Sequence, residues 1–389
     1  MDLIILIFFG SLILILHTYI FYPVSIQLLS LLFRKNYKLN KNLLPKISIL
    51  ISAYNEERVI ENTLTNLCQQ NYTKGKFEII VGSDGSTDQT NDIITQFVKK
   101  YANINFVHFE KRRGKKFVIN DLVKIASGEV LVFSDSNTVY DKNAIAELVK
   151  YYADDRVGGV SGRLELIEQS GSVATGNEEA TYWKYESWIK NCEGSLGYLI
   201  GANGGIYSIK KEYFVLMPPD VSVVDDLFLS LKILEQDKDM IYCKEAIASE
   251  TIAPSIKWES ERKARIIPRS FETIKQVKKL LFTKRFCISY NIWSHKIIRW
   301  FTPLLLSILL LSNITISLFH EGVFYNVMLF LQAVIIILGI VGYFITKLNL
   351  NIKIFQLFYY FFISNYALMK GFYRYFAKKY KPTWNPTPR

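Results

Sequence analysis

Val130-Leu131-Val132-Phe133-Ser134-Asp135-Ser136-Asn137 decides how this chain folds. Four apolar β-formers in an unbroken run read as a strand covered on both faces, as in a parallel sheet. The carboxylate that follows then stands at the carboxyl edge of the sheet, where open α/β folds bind their ligands. Oxygen-bearing side chains at i and i+2 of an extended segment can reach one hard cation, which in turn can grip a diphosphate. Asp and Asn after a strand also make ordinary turns, so the motif takes its weight from its neighbours.

Working outward, strands and helices alternate between residues 46 and 298. Ile47–Ile51, Phe77–Val81, Asn105–Phe109 and Glu129–Phe133 read as strands. Glu56–Cys68, Asp88–Tyr101, Lys115–Ile125 and Lys142–Tyr152 carry helical apolar spacing. This alternation predicts an α/β domain with a mainly parallel sheet covered on both faces. Each strand ends in a polar cluster: Ser52-Ala53-Tyr54-Asn55-Glu56, Ser83-Asp84-Gly85-Ser86-Thr87-Asp88, the basic run Lys111 to Lys116, and Asp135-Ser136-Asn137. Taken singly, Asp88 reads as a helix cap, Gly85 as a turn residue and the basic run as a solvated face. Together, acidic loops with a basic loop between them describe a pocket for a nucleoside diphosphate and its cation. Neither GxGxxG nor GxxxxGK[ST] is present.

The rest of the composition points to a membrane. The 389 residues are 50% hydrophobic and carry a net charge of +12. Residues 3–33 are almost wholly apolar, long enough to cross roughly 30 Å of hydrocarbon, and lack the basic start and cleavage site of a signal peptide. Further apolar blocks run over Phe301–Phe319, Phe324–Ile345 and, shorter and more polar, Ile354–Met369. The last is expected to lie in the interface, leaving three crossings. Arg34, Lys35, Lys38, Lys41 and Lys46 follow the first block, and the positive-inside rule then puts the domain in the cytoplasm, with the basic tail. The division expected is a membrane helix over 1–34, the domain over 46–298, membrane or interfacial helices over 299–376 and a tail over 377–389. Four scattered cysteines without a CxxC pair fit reduced thiols, and the charge fits anionic lipid, with no nucleic-acid signature beside it.

The strand-end motifs, with Gly114-Lys115, Asn120, Gly201-Ala202-Asn203-Gly204 and Asp225-Asp226, resemble the membrane-bound members of glycosyltransferase family 2, related to cellulose, hyaluronan and poly-N-acetylglucosamine synthases. The resemblance covers about residues 46–270. It implies a GT-A fold, a nucleotide-sugar donor (UDP-sugar above all), a Mg²⁺ or Mn²⁺ ion and inversion at the anomeric carbon. It also implies a glycan or lipid-linked acceptor in cell-envelope synthesis at the plasma membrane, beside membrane lipid and export or polymerisation partner proteins.

Carried over residue by residue, Ala53, Asn55 and Glu56 line the donor and Asp84 meets the base. Lys115 offsets diphosphate charge, while Asp135 and Asn137 stand at the metal motif, whose third position is an aspartate in the family. Asp226 matches the general base and Asp225 its neighbour, although acids in a helix's first turn are also favoured by the macrodipole. Tyr182, Trp183, Tyr185 and Trp188 are candidates to stack on sugars or to fill the core. The family's QxxRW element is absent. In its place stands Glu261-Arg262-Lys263-Ala264-Arg265-Ile266-Ile267-Pro268-Arg269, whose arginines, Arg265 first among them, are candidates for the diphosphate, with a basic interfacial helix as the alternative. Two other activities compete: transfer to a polyprenyl phosphate, which needs no carboxylate base, and a non-catalytic nucleotide sensor.

Overall fold

The computed structural model describes residues 1–167, 176–251, 256–320, 322–348, 350 and 352–380. The basic tail therefore lies mostly outside the described residues, including Lys381 and Arg389.

Eight strands form one sheet: β1 (Ile47–Ala53), β2 (Phe77–Asp84), β3 (Ile104–Phe109), β4 (Val130–Ser134), β5 (Val139–Tyr140), β6 (Val157–Ile167), β7 (Tyr207–Lys210) and β8 (Asp239–Thr251). Their order is β3-β2-β1-β4-β7-β6-β8-β5. The first four in that order run parallel, as the apolar runs predict. The other half is mixed: β7 is antiparallel to both β4 and β6, β6 and β8 are parallel, and β5 closes the edge antiparallel to β8.

Side-chain alternation explains the double covering. On β1, Ile47, Ile49 and Ile51 enter one buried cluster with Leu64 and Leu67 of helix α2 (Ile60–Cys68). Leu50 enters the other, against Val118 and Leu122 of helix α4 (Lys115–Ile125). Helix α3 (Thr90–Lys100) and the short α5 (Ala144–Val149) cover the first face. The helices predicted to begin at Glu56 and Asp88 begin four and two residues later, because the residues ahead of them are held in the loops at the sheet edge. The structure adds helices α6 (Gly176–Ser195), α7 (Asp225–Glu235) and α8 (Ile256–Lys275).

Outside the sheet, helix α1 spans Asp2–Leu32, with a π-turn at His17–Phe21. Helices α9 (Thr302–Phe319) and α10 (Val323–Lys347) follow a helical stretch over 286–300. These three are long and apolar enough to cross a membrane. Helix α11 (Lys353–Phe376) is as long, but among the described residues it falls outside the candidate spans, and Gln356, Tyr360 and Asn365 on it are buried. It packs on α8 and α10.

Gly128, between α4 and β4, is a point where no side chain fits. A Cβ there would collide with the Ser48 amide nitrogen and lie 2.5 Å from the Ile47 carbonyl carbon. Its own N–H donates to Ser48 Oγ at 2.8 Å. Gly128→Ala should cost about 1–3 kcal/mol, the usual penalty for overpacking a closed site. The measurement is a thermal melt of the full chain in detergent, and an unchanged Tm would show that β1 and β4 can separate at no cost.

Candidate functional site

Register fixes where the polar loops meet. Ala53 pairs with Ser83 and Ile51 with Ser134, so Asn55, Asp84 and Asp135 emerge from neighbouring parallel strands at one edge. Because β7 runs antiparallel, with Tyr207 opposite Phe133, the Gly201–Gly205 loop enters the sheet at that same edge.

The first two loops brace one another. Asn55 takes a left-handed backbone, φ 53°, which Asn tolerates better than most residues. Its N–H donates to Ser86 Oγ at 3.1 Å, and its Oδ1 accepts from Thr87 N–H at 2.9 Å. Glu56 N–H donates to Thr90 Oγ1 at 2.8 Å, and Asp88 Oδ1 accepts from the N–H and hydroxyl of Thr90. Asp88, one residue ahead of the N-cap Gln89, thus holds the first residue of α3. Ala53 is buried and offers the edge only its backbone.

Asp84 is buried as well. Its two carboxylate oxygens accept from Arg113 N–H at 2.8 Å and Gly114 N–H at 2.7 Å. That clamp holds the basic loop, whose Gly114 has φ 104°, a conformation open mainly to glycine. Beside it the Arg112 guanidinium lies 3.6 Å from the centre of the Tyr54 ring.

Lys115, the first residue of α4, reaches into the centre of the site. Its Nζ stands 2.7 Å from Asp135 Oδ1 and 2.9 Å from Asp225 Oδ2. Burial disfavours the ammonium, but the two carboxylates outweigh it and hold Lys115 charged well above its ordinary range. The adjacent Lys116 points elsewhere, donating to the carbonyls of Pro218, Pro219 and Val221 at 2.7–2.8 Å. Asn120, a turn on, exchanges two hydrogen bonds with the backbone of Met217. One face of α4 therefore shapes the loop leading to Asp225.

Asp225 and Asp226 open α7, where the helix dipole favours them. Thr273 Oγ1 of α8 accepts from Val224 N–H, fixing the helix start, and Ser230 Oγ links the Asp226 carbonyl to Ala202 N–H. Asp226 Oδ1 accepts from Leu227 N–H at 2.7 Å. Desolvation, then the Asp225 charge, raise its pKa to about 6 against the pull of Lys190 and Lys115. A Cβ on Gly204 would lie 3.4 Å from Asp226 Oδ2 and 3.9 Å from Asp135 Oδ2, so this glycine is where the two carboxylates approach each other.

The remaining sequence candidates have these surroundings. Asn137 lines a recess of about 390 Å³ with Arg58, Asn62, Thr63 and Glu250, and Asp135 is not one of its walls. Arg265 sits among Arg262, Arg269 and Arg374, and burial followed by their repulsion pushes it down to about 10. Arg269, one turn further along α8, is the arginine on which the Asp225 charge acts. Of the aromatic residues, Trp183 and Tyr185 pack against buried apolar clusters, in line with the core reading, while Tyr182 and Tyr185 also face Arg299 and Trp188 Nε1 donates to Gln27 of α1. Sequence reading missed Lys190, which has no motif around it; Arg269 closes the basic stretch quoted above for the diphosphate.

A hard divalent cation suits one carboxylate with the remaining ligands drawn from phosphate and water. Asp135 meets that description, with its carboxylate partly exposed at the sheet edge. Among the described residues, the one tight trio of metal-type side chains is Glu147, Cys243 and Glu245 on α5 and β8, where Lys150 already pairs with Glu147.

Residues 48–217 match the family model described as Glycosyl transferase family 2. It is 34% identical over 140 residues to a probable glycosyltransferase, YdaM, of Bacillus subtilis (35% of this chain, 33% of that one). It is 29% identical over 208 residues to a poly-beta-1,6-N-acetyl-D-glucosamine synthase of Staphylococcus epidermidis (50% and 49%). It is 25% identical over 204 residues to a beta-monoglucosyldiacylglycerol synthase of Nostoc (51% and 43%). The chain thus spans between a third and a half of the length of these relatives. A mannosyltransferase from Pyrobaculum calidifontis, solved with GDP-Man and Mn²⁺, superposes with a TM-score of 0.72 at 17% identity, over 96% of this chain and 99% of that one. The fold is GT-A-like.

The Asp84 clamp gives a prediction independent of any reaction. Asp84→Asn replaces one of two acceptors with a donor facing an N–H, which should cost about 1–3 kcal/mol. Amide exchange at Arg113 and Gly114 should quicken with it; unaltered exchange would mean that the loop is held by other contacts.

Proposed function

We propose, taking the family 2 domain as the premise, that this chain is an inverting membrane glycosyltransferase. It moves a sugar from a nucleotide-sugar to a hydroxyl of a polysaccharide or lipid-linked acceptor. The observation that carries the reading is the convergence of Asp135, Lys115, Asp225 and Asp226 on one end of a GT-A-like sheet. The relatives named as glycan and glycolipid synthases support the acceptor class.

In this reading the nucleotide lies against the loops of Ala53 to Glu56 and of Asp84. Lys115 and Arg269 offset the diphosphate charge, and Asp135 holds a Mg²⁺ or Mn²⁺ ion, which neutralises the leaving diphosphate when bound. Asp226 takes the proton from the acceptor hydroxyl as its oxygen bonds to the anomeric carbon and the bond to diphosphate breaks. Attack from the opposite face inverts the configuration. Asp225, paired with Lys115, orients its neighbour. Helices α1, α9 and α10 cross the plasma membrane, with the domain on the cytoplasmic side, where the flanking lysines favour it.

Nucleotide release from a panel of UDP- and GDP-sugars, with and without Mn²⁺, tests the whole reading on the full chain in detergent. Asp226→Asn should lower transfer to a hydroxyl acceptor about 10²–10⁴-fold, the range for losing a general base, and Asp225→Asn should cost less. Asp135→Ala should abolish ion-dependent nucleotide binding, and the product should carry the inverted anomer. Transfer that survives Asp226→Asn with a phosphate acceptor would point instead to a polyprenyl-phosphate transferase; no turnover with any donor would point to a sensor.

The pH dependence has a fixed sign. Asp226 works as the carboxylate and its pKa is raised to about 6, so kcat/KM should climb as pH rises through about 6. A profile flat from pH 5 to 7.5 would remove Asp226 from the role.

A further inference from the structure

Helix α6 carries Glu186, Lys190 and Glu193, all buried and spaced to share one side of the helix. The two acids turn toward the stretch over 286–300: His295 bridges them, Nδ1 to Glu193 at 2.6 Å and Nε2 to Glu186 at 3.1 Å, and Arg299 pairs with Glu186. Lys190 turns the other way. Its Nζ donates to Asn203 Oδ1 at 2.5 Å and to the Ala202 carbonyl at 3.3 Å. Asn203 is buried and fully committed, its Nδ2 donating to the Gly162 carbonyl and its N–H to Ser161 Oγ. The next residue is Gly204, the point of closest approach of Asp226.

Holding Asn203 needs only a donor, and a neutral amide would do. A buried ammonium costs more than that, unless its charge is used. Glu186, Asp226 and Glu193 all act on it; Glu186 and Glu193 already have His295 as a partner, whereas Asp226 is disfavoured as an anion by desolvation and by Asp225. We propose that Lys190 is a positioning residue for the transfer: through Asn203 it fixes the Gly201–Gly205 loop where the acceptor approaches, and its charge keeps the Asp226 carboxylate ionised. This rests on the reading of Asp226 as the base.

The electrostatics agree in direction. Of the cations near Asp226, Lys190 exerts the larger pull toward the ionised form and Lys115 the smaller. Lys190 is itself brought down to about 8 by burial and then by Lys296, against Glu186, Asp226 and Glu193. The productive charge state of the pair, carboxylate with ammonium, therefore spans pH 6 to 8.

The full chain in detergent is measured as wild type, Lys190→Met, Lys190→Gln, Lys190→Arg and Asp226→Asn. Lys190→Met should keep nucleotide affinity, because its contacts lie on the acceptor loop, while kcat falls roughly tenfold or more. The acid limb of kcat/KM should move to higher pH, and the fall above about pH 8 should vanish with the titrating group. Lys190→Gln keeps a donor without the charge, so it should shift the acid limb yet preserve slow amide exchange over 202–206. Lys190→Arg should restore most of the rate. A wild-type kcat with an unmoved acid limb in both Lys190→Met and Lys190→Gln overturns the electrostatic half. Unchanged exchange over 202–206 in Lys190→Met overturns the loop half, and needs no turnover to be read. If Asp226→Asn is as active as wild type, the base assignment fails by itself, and exchange still decides whether Lys190 holds the loop.

Discussion

One ammonium holds the candidate site together. Lys115 spans the gap between Asp135, at the end of the parallel half of the sheet, and Asp225, at the start of a helix contributed about a hundred residues later. Without that cation, the charges of Asp135 and Asp225 would face each other uncompensated, with Asp226 close by across Gly204, and the loops carrying them would have reason to part. Lys115 can reach both because Asp84 clamps the residues just before it, setting where α4 begins. Lys116 and Asn120 then shape the approach to Asp225 from the same helix. The constraint thus runs from a buried aspartate, through two backbone amides, to a lysine whose position decides the spacing of the acids.

The same arrangement divides labour between two adjacent aspartates. Asp225 is paired directly with Lys115, whereas Asp226 accepts from Leu227 N–H and feels its neighbour's charge against the pull of Lys190 and Lys115. Adjacent in sequence, the two carboxylates thus sit in different surroundings, and desolvation with the Asp225 charge raises Asp226 to about 6. A carboxyl raised in this way can exchange protons near neutral pH.

The sequence made the parallel half legible because its strands are uninterrupted apolar runs, each closed by a polar cluster. The other half was hidden. β6 opens Val157-Gly158-Gly159-Val160-Ser161-Gly162, and its register against β8 slips twice, between Val157 and Gly159 and between Gly162 and Arg163. Bulges and glycines erase the period on which a strand is recognised. The site divided in the same way. Asp135, Lys115 and Asp225 stand in motifs beside predictable elements, and the structure brings them into direct contact. Asn137 follows its motif but turns into another recess, because alternation along an extended segment says which face a residue takes and not how the loop bends after it. Lys190 was beyond reach: a lone lysine in an aromatic helix carries no pattern, and its meaning depends on Asn203 and Asp226, which only the tertiary fold places beside it.

Helix α6 also connects the site to the apolar helices. Its outward acids bind His295 and Arg299 just ahead of α9, and Tyr22 of α1 donates to Glu193 at 2.7 Å. Burial raises the Glu186 carboxyl, but Arg299 and His295 outweigh it and hold it well below the usual range, so it stays charged within the junction. Breaking one partner of such a buried set leaves an uncompensated charge, at a cost of about 3–5 kcal/mol. The junction therefore resists being pulled apart or re-registered by small motions. Because Lys190 lies between Glu186 and Glu193 on the same helix, the loop bearing Gly204 inherits that rigidity. In the proposed reading, where the domain meets its acceptor at a fixed height above a bilayer, such a coupling has a use, and it consists of three charged residues on one side of a single helix.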